Sequence, residues 1–267
     1  MESHPPIKTP GSVTLAGAGP GDPDLLTVAA LNAILSADLI VHDGLVDQRI
    51  LDLAPTTLRL SVAKSRSRHT MQQSAINDLL IAEARNGKHV VRLKGGDPFI
   101  FGRGGEEVEA CRSAGIKVRA IPGISAAMGV AAEALIPLTH RDAASAVSFV
   151  AGQCKGLTDQ NWVGLAGIGR TLVIYMGIAA AEAIAEKLMA DGVSPTMPVA
   201  IIENGTRPNA RAMRTLLTEL AAMIDREAIK SPAILIVGEV ASWGLAVDRF
   251  QAWTTSAEMM LENPDRK

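Results

Sequence analysis

Residues 90–107, reading VVRLKGGDPFIFGRGGEE, constrain this chain more than any other stretch. The run opens with β-branched residues that suit a buried strand. It then breaks on Gly95-Gly96, where a backbone can approach a ligand with no Cβ in the way. Asp97-Pro98 follows, and the residue before a proline is driven out of the α region. After a second glycine cluster, Glu106 and Glu107 open an amphipathic helix, where acidic side chains suit the positive end of the dipole. Strand, bare backbone, fixed carboxylate, loop and helix in succession describe a ligand site at the C-terminal edge of a parallel sheet. An ordinary strand-to-helix connection would not need Asp97, Arg103 and two glycine pairs in so short a span.

The rest of the chain repeats that grammar. Strands are expected over 13–16, 39–41, 58–63, 90–93 and 118–121, separated by helices over 25–35, 47–54, 72–85, a stretch ending at Ala114, and 127–134. Such alternation implies crossover units and a mostly parallel sheet. Residues 137–142 read as a hinge. Beyond it, strands are expected over 147–151, 171–176, 199–203 and 233–237, with helices over 179–190 and 218–225. A further antiparallel strand over 211–215 would make that second sheet mixed. The fold class is therefore α/β in two domains, 12–137 and 138–253, with helices on the sheet faces. The ends, 1–11 and 254–267, are polar and expected to be loose.

Composition removes several functions. The formal net charge is −2, so no global field recruits nucleic acid or an anionic membrane. Aromatics make up 3 % of residues, with Tyr175 as the single tyrosine, too few for a base-stacking platform. Cys111 and Cys154 sit in no metal-ligand spacing and the five histidines do not pair at helical spacing, so no metal is expected. There is no secretory apolar region at the start and no apolar run long enough to span a bilayer. A cytoplasmic protein with reduced thiols is expected.

The first glycine loop, Gly17-Ala18-Gly19-Pro20-Gly21-Asp22, invites a dinucleotide reading. That fingerprint wants a third glycine where Asp22 stands. Pro20 removes a donor that pyrophosphate would need, and Asp22 sets a negative charge beside it. Asp43 does follow about 20 residues on, as a ribose contact would require. The dehydrogenase reading is thus a weak competitor.

Residues 17–27, GAGPGDPDLLT, and 92–107, RLKGGDPFIFGRGGEE, together resemble the signatures of the tetrapyrrole methylase family, in the form carried by members that methylate uroporphyrinogen III. The likeness continues through VHDGLV at 41–46, IPGISA at 121–126, IPLTHRD at 136–142, IYMG at 174–177, ENGT at 203–206 and SPA at 231–233, covering roughly 13–240. It implies S-adenosylmethionine as cofactor, S-adenosylhomocysteine as its product, and a small-molecule tetrapyrrole as acceptor. The implied reaction is C-methylation of uroporphyrinogen III at C2 and C7, giving precorrin-2 via precorrin-1 for sirohaem or cobalamin synthesis. It also implies a homodimer. No fused dehydrogenase–chelatase module is expected at either end.

By the same resemblance, Pro20, Gly95, Gly96, Asp97, Ile100, Ser125, Ala126, Met176 and Gly205 line the cofactor pocket. For Met176, a core position at a strand end is the competing reading. The polycarboxylate acceptor asks for several cations on one wall. Lys64, Arg66, Arg68 and His69 on one loop, with Arg103 and Arg141, are the candidates, although a solvated charge run explains Arg66 or Arg68 singly as well. Arg92 lies inside a strand and needs a carboxylate partner, for which Asp43 and Asp97 are the candidates. The family assigns a proton acceptor to the position of Asp43 and a proton donor to that of Lys64; a plain ion pair is the alternative. Gly44 and Ser65 depart from the family pattern, which usually has cationic residues there, and so bear on acceptor affinity.

Overall fold

The computed structural model describes residues 11–63, 71–153 and 161–244. Its backbone divides into two compact units, one ending at Ala126 and the other starting at Ala127. The expected hinge over 137–142, and the helix before it, belong to the second unit by this division.

The first unit is a five-stranded parallel sheet in the order β3-β2-β4-β1-β5. Its strands are β1 (Ser12–Gly17), β2 (Leu39–His42), β3 (Leu58–Ser61), β4 (His89–Lys94) and β5 (Lys117–Ile121). The side-chain period of two sorts each strand between two cores. Ala16, Ile40, Val91, Leu93 and Ile121 pack with helices α1 (Val28–Leu35) and α2 (Gln48–Leu51). Val13, Leu15, Leu39, Val41 and Val90 pack on the other face with α3 (Gln73–Arg85) and α4 (Gly104–Ser113). The helix expected from residue 25 starts later, at Val28, where the Thr27 hydroxyl caps it by accepting from the Ala30 amide. Pro23–Leu25 form a separate 3-10 turn capped by Asp22.

Adjacent strands β1 and β4 send their chains to opposite faces of the sheet. This is the topological switch point, outside whose C-terminal edge open α/β sheets bind ligands.

The second unit begins with α5 (Ala126–Glu133), whose first residue closes the preceding unit. Its sheet is mixed, in the order β6-β7-β10-β8-β9. The strands are β6 (Ala144–Ala151), β7 (Gly169–Tyr175), β8 (Pro198–Glu203), β9 (Arg211–Leu216) and β10 (Ala233–Val237). Only β6 and β7 run parallel; the other pairings are antiparallel, and β9 is the added strand expected over 211–215. Helices α6 (Ala181–Ala190) and α7 (Leu220–Arg226) bury Ile184, Leu188, Leu220 and Ile224 against Leu172, Ile174, Val199, Ile201 and Leu235. Strand β7 ends one residue earlier than expected, leaving Met176 outside the sheet.

Candidate active site

In the first unit all five strands end at one edge, so the loops after them are neighbours. At the switch point the two glycine motifs are bonded to each other. Gly96 N–H donates to the Gly19 carbonyl at 2.7 Å, Gly19 N–H to the Gly96 carbonyl at 3.2 Å, and Ala18 N–H to the Lys94 carbonyl at 2.7 Å. Gly19 and Gly96 have φ of 71° and 69°, the left-handed region that glycine enters without a Cβ penalty. The loop after β5 closes on the same spot. A Cβ on Gly123 would lie 2.3 Å from the Gly96 carbonyl oxygen, and one on Gly17 would lie 2.5 Å from the Gly123 Cα. Three strand ends thus meet backbone to backbone, with no room for side chains between them.

Asp97 locks this arrangement. Its Oδ1 accepts from the Phe99 amide at 2.8 Å and its Oδ2 from the Gly123 amide at 3.0 Å. Asp97 thus has a structural role, which uses two of the about four acceptor positions of a carboxylate. Pro20, Ile100 and Ala126 are half-buried around the loops, and Ser125 is buried.

The loop geometry also separates this site from a dinucleotide cradle. The 3-10 turn at Pro23–Leu25 stands between the first glycine loop and α1, whereas the dinucleotide fingerprint runs straight into its helix. Asp22 accepts from the Asp24 amide at 3.0 Å.

Beneath the second glycine loop lies a buried charge cluster. Glu107 Oε1 receives Arg92 Nε, Lys94 Nζ and Gln73 Nε2, each at 3.1 Å. Glu107 is fully buried, and Arg92 and Lys94 are 3 % exposed. The partner of Arg92 is thus Glu107, neither of the two aspartates the sequence suggested. Burial, and next the charge of Arg92, push the Lys94 ammonium below the ordinary lysine value, while Glu107 and then Asp43 pull it back. Lys94 and Glu107 are the residues that sequence reasoning passed over. The available signal was two cations at alternate positions of a buried strand, which must share a face and a counter-charge.

Glu106, next to Glu107, is exposed and holds Arg103 in a two-bond ion pair of 2.8 and 2.7 Å. Arg103 opens α4 with φ 57°, and its guanidinium is pushed above its ordinary value, chiefly by the bond to Glu106. Asp43 follows β2, half-buried, with Oδ1 accepting from the Leu45 amide at 3.1 Å. The strand end after β3 is its neighbour, since Val62 N–H donates to the His42 carbonyl at 2.9 Å. A Cβ on Gly44 would stand 3.0 Å from the Ala63 Cβ. Lys64, Arg66, Arg68 and His69 lie outside the described residues.

In the second unit Met176 and Gly205 follow β7 and β8. Met176 is 46 % exposed with φ 54°, so the core reading of this residue does not hold. Gly205 is buried between Asn204 and Thr206, whose φ values are 51° and 65°. A Cβ on Gly205 would lie 2.3 Å from Val130 Cγ1, so only glycine fits. Arg141 is exposed in a turn.

Bare, mutually bonded glycine loops at a switch point, with carboxylates and apolar side chains around them, fit a zwitterionic nucleoside better than a pyrophosphate. Similarity to known proteins points the same way. The chain is 48 % identical over 236 residues to siroheme synthase 2 of Cronobacter sakazakii, covering 88 % of this chain and 51 % of that protein. With the siroheme synthase of Gluconacetobacter diazotrophicus the identity is 48 %, over 87 % of this chain and 50 % of the relative. The chain thus spans about half the length of the curated relatives it matches. Among solved structures, the uroporphyrin-III C-methyl transferase of Thermus thermophilus complexed with S-adenyl homocysteine is 37 % identical with a TM-score of 0.76, over 87 % of this chain and 99 % of that one. A cobalt precorrin-4 methyltransferase at 24 % identity shares the fold with a TM-score of 0.75. The family model for Tetrapyrrole (Corrin/Porphyrin) Methylases matches residues 12–221, which take in both glycine motifs, Asp43, Met176 and Gly205, and the chain belongs to that family of methyltransferases.

Proposed function

We propose that the chain transfers methyl groups from S-adenosylmethionine to C2 and C7 of uroporphyrinogen III, giving precorrin-2 via precorrin-1 for sirohaem or cobalamin synthesis. The observation that carries this reading is the junction of Gly17, Gly19, Gly96 and Gly123 at the switch point, with Asp43 on the next strand end but one from β1. The Thermus thermophilus relative, complexed with S-adenyl homocysteine, supports the cofactor.

In this reading, Pro20, Gly95, Gly96, Asp97, Ile100, Ser125 and Ala126 of the first unit, with Met176 and Gly205 of the second, hold the cofactor. When bound, it supplies an electrophilic methyl whose S–C bond pair stays on sulfur. The protein's contribution is to hold the acceptor carbon in line with that bond, which is a matter of positioning. The methylated pyrrole is cationic and must lose a proton, and the Asp43 carboxylate takes it. Lys64 returns a proton in the rearrangement. Arg66, Arg68 and His69, with Arg103 and Arg141, hold the acceptor carboxylates, Arg103 by exchanging Glu106 for substrate. Gly44, with no side chain, leaves the space beside Ala63 open and places no cation next to Asp43.

The proposal includes a cytoplasmic homodimer, on the strength of the family resemblance; among the described residues no helix is long and apolar enough to cross a membrane. Mass spectrometry of the product tests the reaction. Incubation with S-adenosylmethionine and uroporphyrinogen III should add two methyl groups, and Asp43→Asn should lower turnover without changing S-adenosylhomocysteine affinity. A product carrying no added methyl would refute the assignment.

A further inference from the structure

The loops that carry Met176 and Gly205 adopt backbone conformations that their own residues do not favour. Met176, Asn204 and Thr206 all lie in the left-handed region without being glycine. Such residues persist only where the surroundings over-determine them. Prominent among the surroundings is one helix, α5, joined to each loop by a specific bond.

At the start of α5 the backbone N–H of Ala127, one of the donors a helix leaves unpaired at its N-terminus, donates to the Tyr175 hydroxyl oxygen at 3.0 Å. Tyr175 immediately precedes Met176, so that bond fixes where the β7 loop leaves the sheet. The carbonyl of Tyr175 also accepts from the Gly152 amide at 2.7 Å, and its ring meets Phe149 edge-on with centroids 6.2 Å apart. At the end of α5, Glu133 Oε2 accepts the Thr206 N–H at 2.5 Å. Between the two, Gly205 lies against Val130, which is one turn from Glu133 and on the same helix face. One helix therefore clamps both loops of the second unit, by a hydroxyl at one end and a carboxylate at the other.

We propose that Tyr175 and Glu133 are positioning residues for the cofactor. They touch no ligand themselves; they hold the backbone at Met176 and Gly205 in the only conformations that present those residues to it. The inference rests on the assignment of Met176 and Gly205 to the cofactor pocket. It adds that α5 and the two loops form one mechanical unit, so that losing either bond loosens cofactor binding before it loosens the fold.

The test measures S-adenosylhomocysteine affinity by calorimetry, with melting temperature beside it, in six proteins: wild type, Tyr175→Phe, Glu133→Ala, Glu133→Gln, Ile224→Val and Asp97→Ala. Tyr175→Phe keeps the ring and removes only the acceptor. Glu133→Gln keeps an acceptor oxygen that can rescue the bond. Ile224→Val trims the core under α7, and Ile224 takes part in neither bond. Tyr175→Phe and Glu133→Ala should each weaken binding by about fivefold or more, the scale of one lost hydrogen bond. Glu133→Gln should stay within about twofold of wild type, and Ile224→Val should lower the melting temperature while leaving affinity unchanged. Should Tyr175→Phe and Glu133→Ala bind like wild type, or weaken no more than Ile224→Val at equal loss of melting temperature, the inference falls. If Asp97→Ala weakens binding while those two variants do not, the inference falls alone. If wild type fails to bind S-adenosylhomocysteine, the cofactor reading falls with it.

Discussion

The two units meet the same demand, a backbone bent out of the ordinary, by different means. In the first, the loops that bond to one another directly bend on Gly19, Gly21 and Gly96, and non-glycine residues take a positive φ only farther along, at Phe101 and Arg103 before α4. In the second, the corresponding strand ends bend at Met176, Asn204 and Thr206, which pay a steric cost that tertiary contacts must offset. The first design is written locally, since glycine makes the bend cheap wherever it stands. The second is written across the chain, with α5 supplying the restraint from more than forty residues away in sequence. Local designs can be read from a motif, whereas distributed ones need the structure.

The largest effect expected from breaking this comparison lies under the first unit's loop. Glu107→Ala would leave Arg92 and Lys94 buried without a counter-charge beneath Gly95-Gly96. Breaking a buried pair by removing one partner costs about 3–5 kcal/mol. Arg103→Ala, which breaks the exposed pair on the neighbouring glutamate, should cost under about 1 kcal/mol. Denaturant melts of the two variants make the check. Equal losses would mean that the buried cluster is not what supports the loop.

A pair of glycine substitutions sharpens the contrast further. Gly96→Ala forces a Cβ into the left-handed region and should cost about 1–2 kcal/mol. Asn204→Gly relieves the same kind of strain in the second unit and should be neutral or stabilising by up to about 1 kcal/mol. Opposite signs in the two units are the expected result; loss of stability in both would mean that Asn204 contributes through its side chain and not in spite of its backbone. Asp97→Ala, which frees both the Phe99 and Gly123 amides, should lower stability as well as cofactor affinity, by about 1–3 kcal/mol.

A further effect is a pH dependence. Burial, and then the charge of Glu107, push the Cys111 thiol up to about 11 from an ordinary 9.0. A raised acid pKa contributes stability below the unfolded value, and that contribution is lost as pH climbs through the folded one. Stability should therefore fall between pH 9 and about 11, by on the order of 2 kcal/mol from this residue. The lowered Lys94 ammonium acts in the opposite sense, regaining stability as pH rises toward its ordinary value. The difference between wild type and Cys111→Ala isolates the thiol, and the variant's fall over this range should be shallower.

Much of this molecule was legible in the sequence, and the reason differs by region. The parallel sheet and the two glycine loops at its strand ends followed from residues 17–23 and 90–107 because strand period, glycine and proline act locally, whereas the bonds that join the loops did not. The mixed second sheet was readable from the spacing of its apolar runs, including β9. The partner of Arg92 was not readable, because Glu107 reaches it only when α4 folds back over β4, and its place at a helix start offered a sufficient explanation by itself. The exposure of Met176 was equally hidden. Periodicity extended β7 through it, while the positive φ that turns it out of the sheet depends on contacts made by Tyr175 and α5.

Hydrogen exchange with and without S-adenosylhomocysteine tests the proposed set of cofactor residues most directly. The expected result is slowed exchange in five separate segments, 18–22, 94–101, 123–127, 175–177 and 203–206, with the outer helices α3 and α7 unchanged. Protection confined to the first unit's glycine loops, or absent from both units, would contradict it.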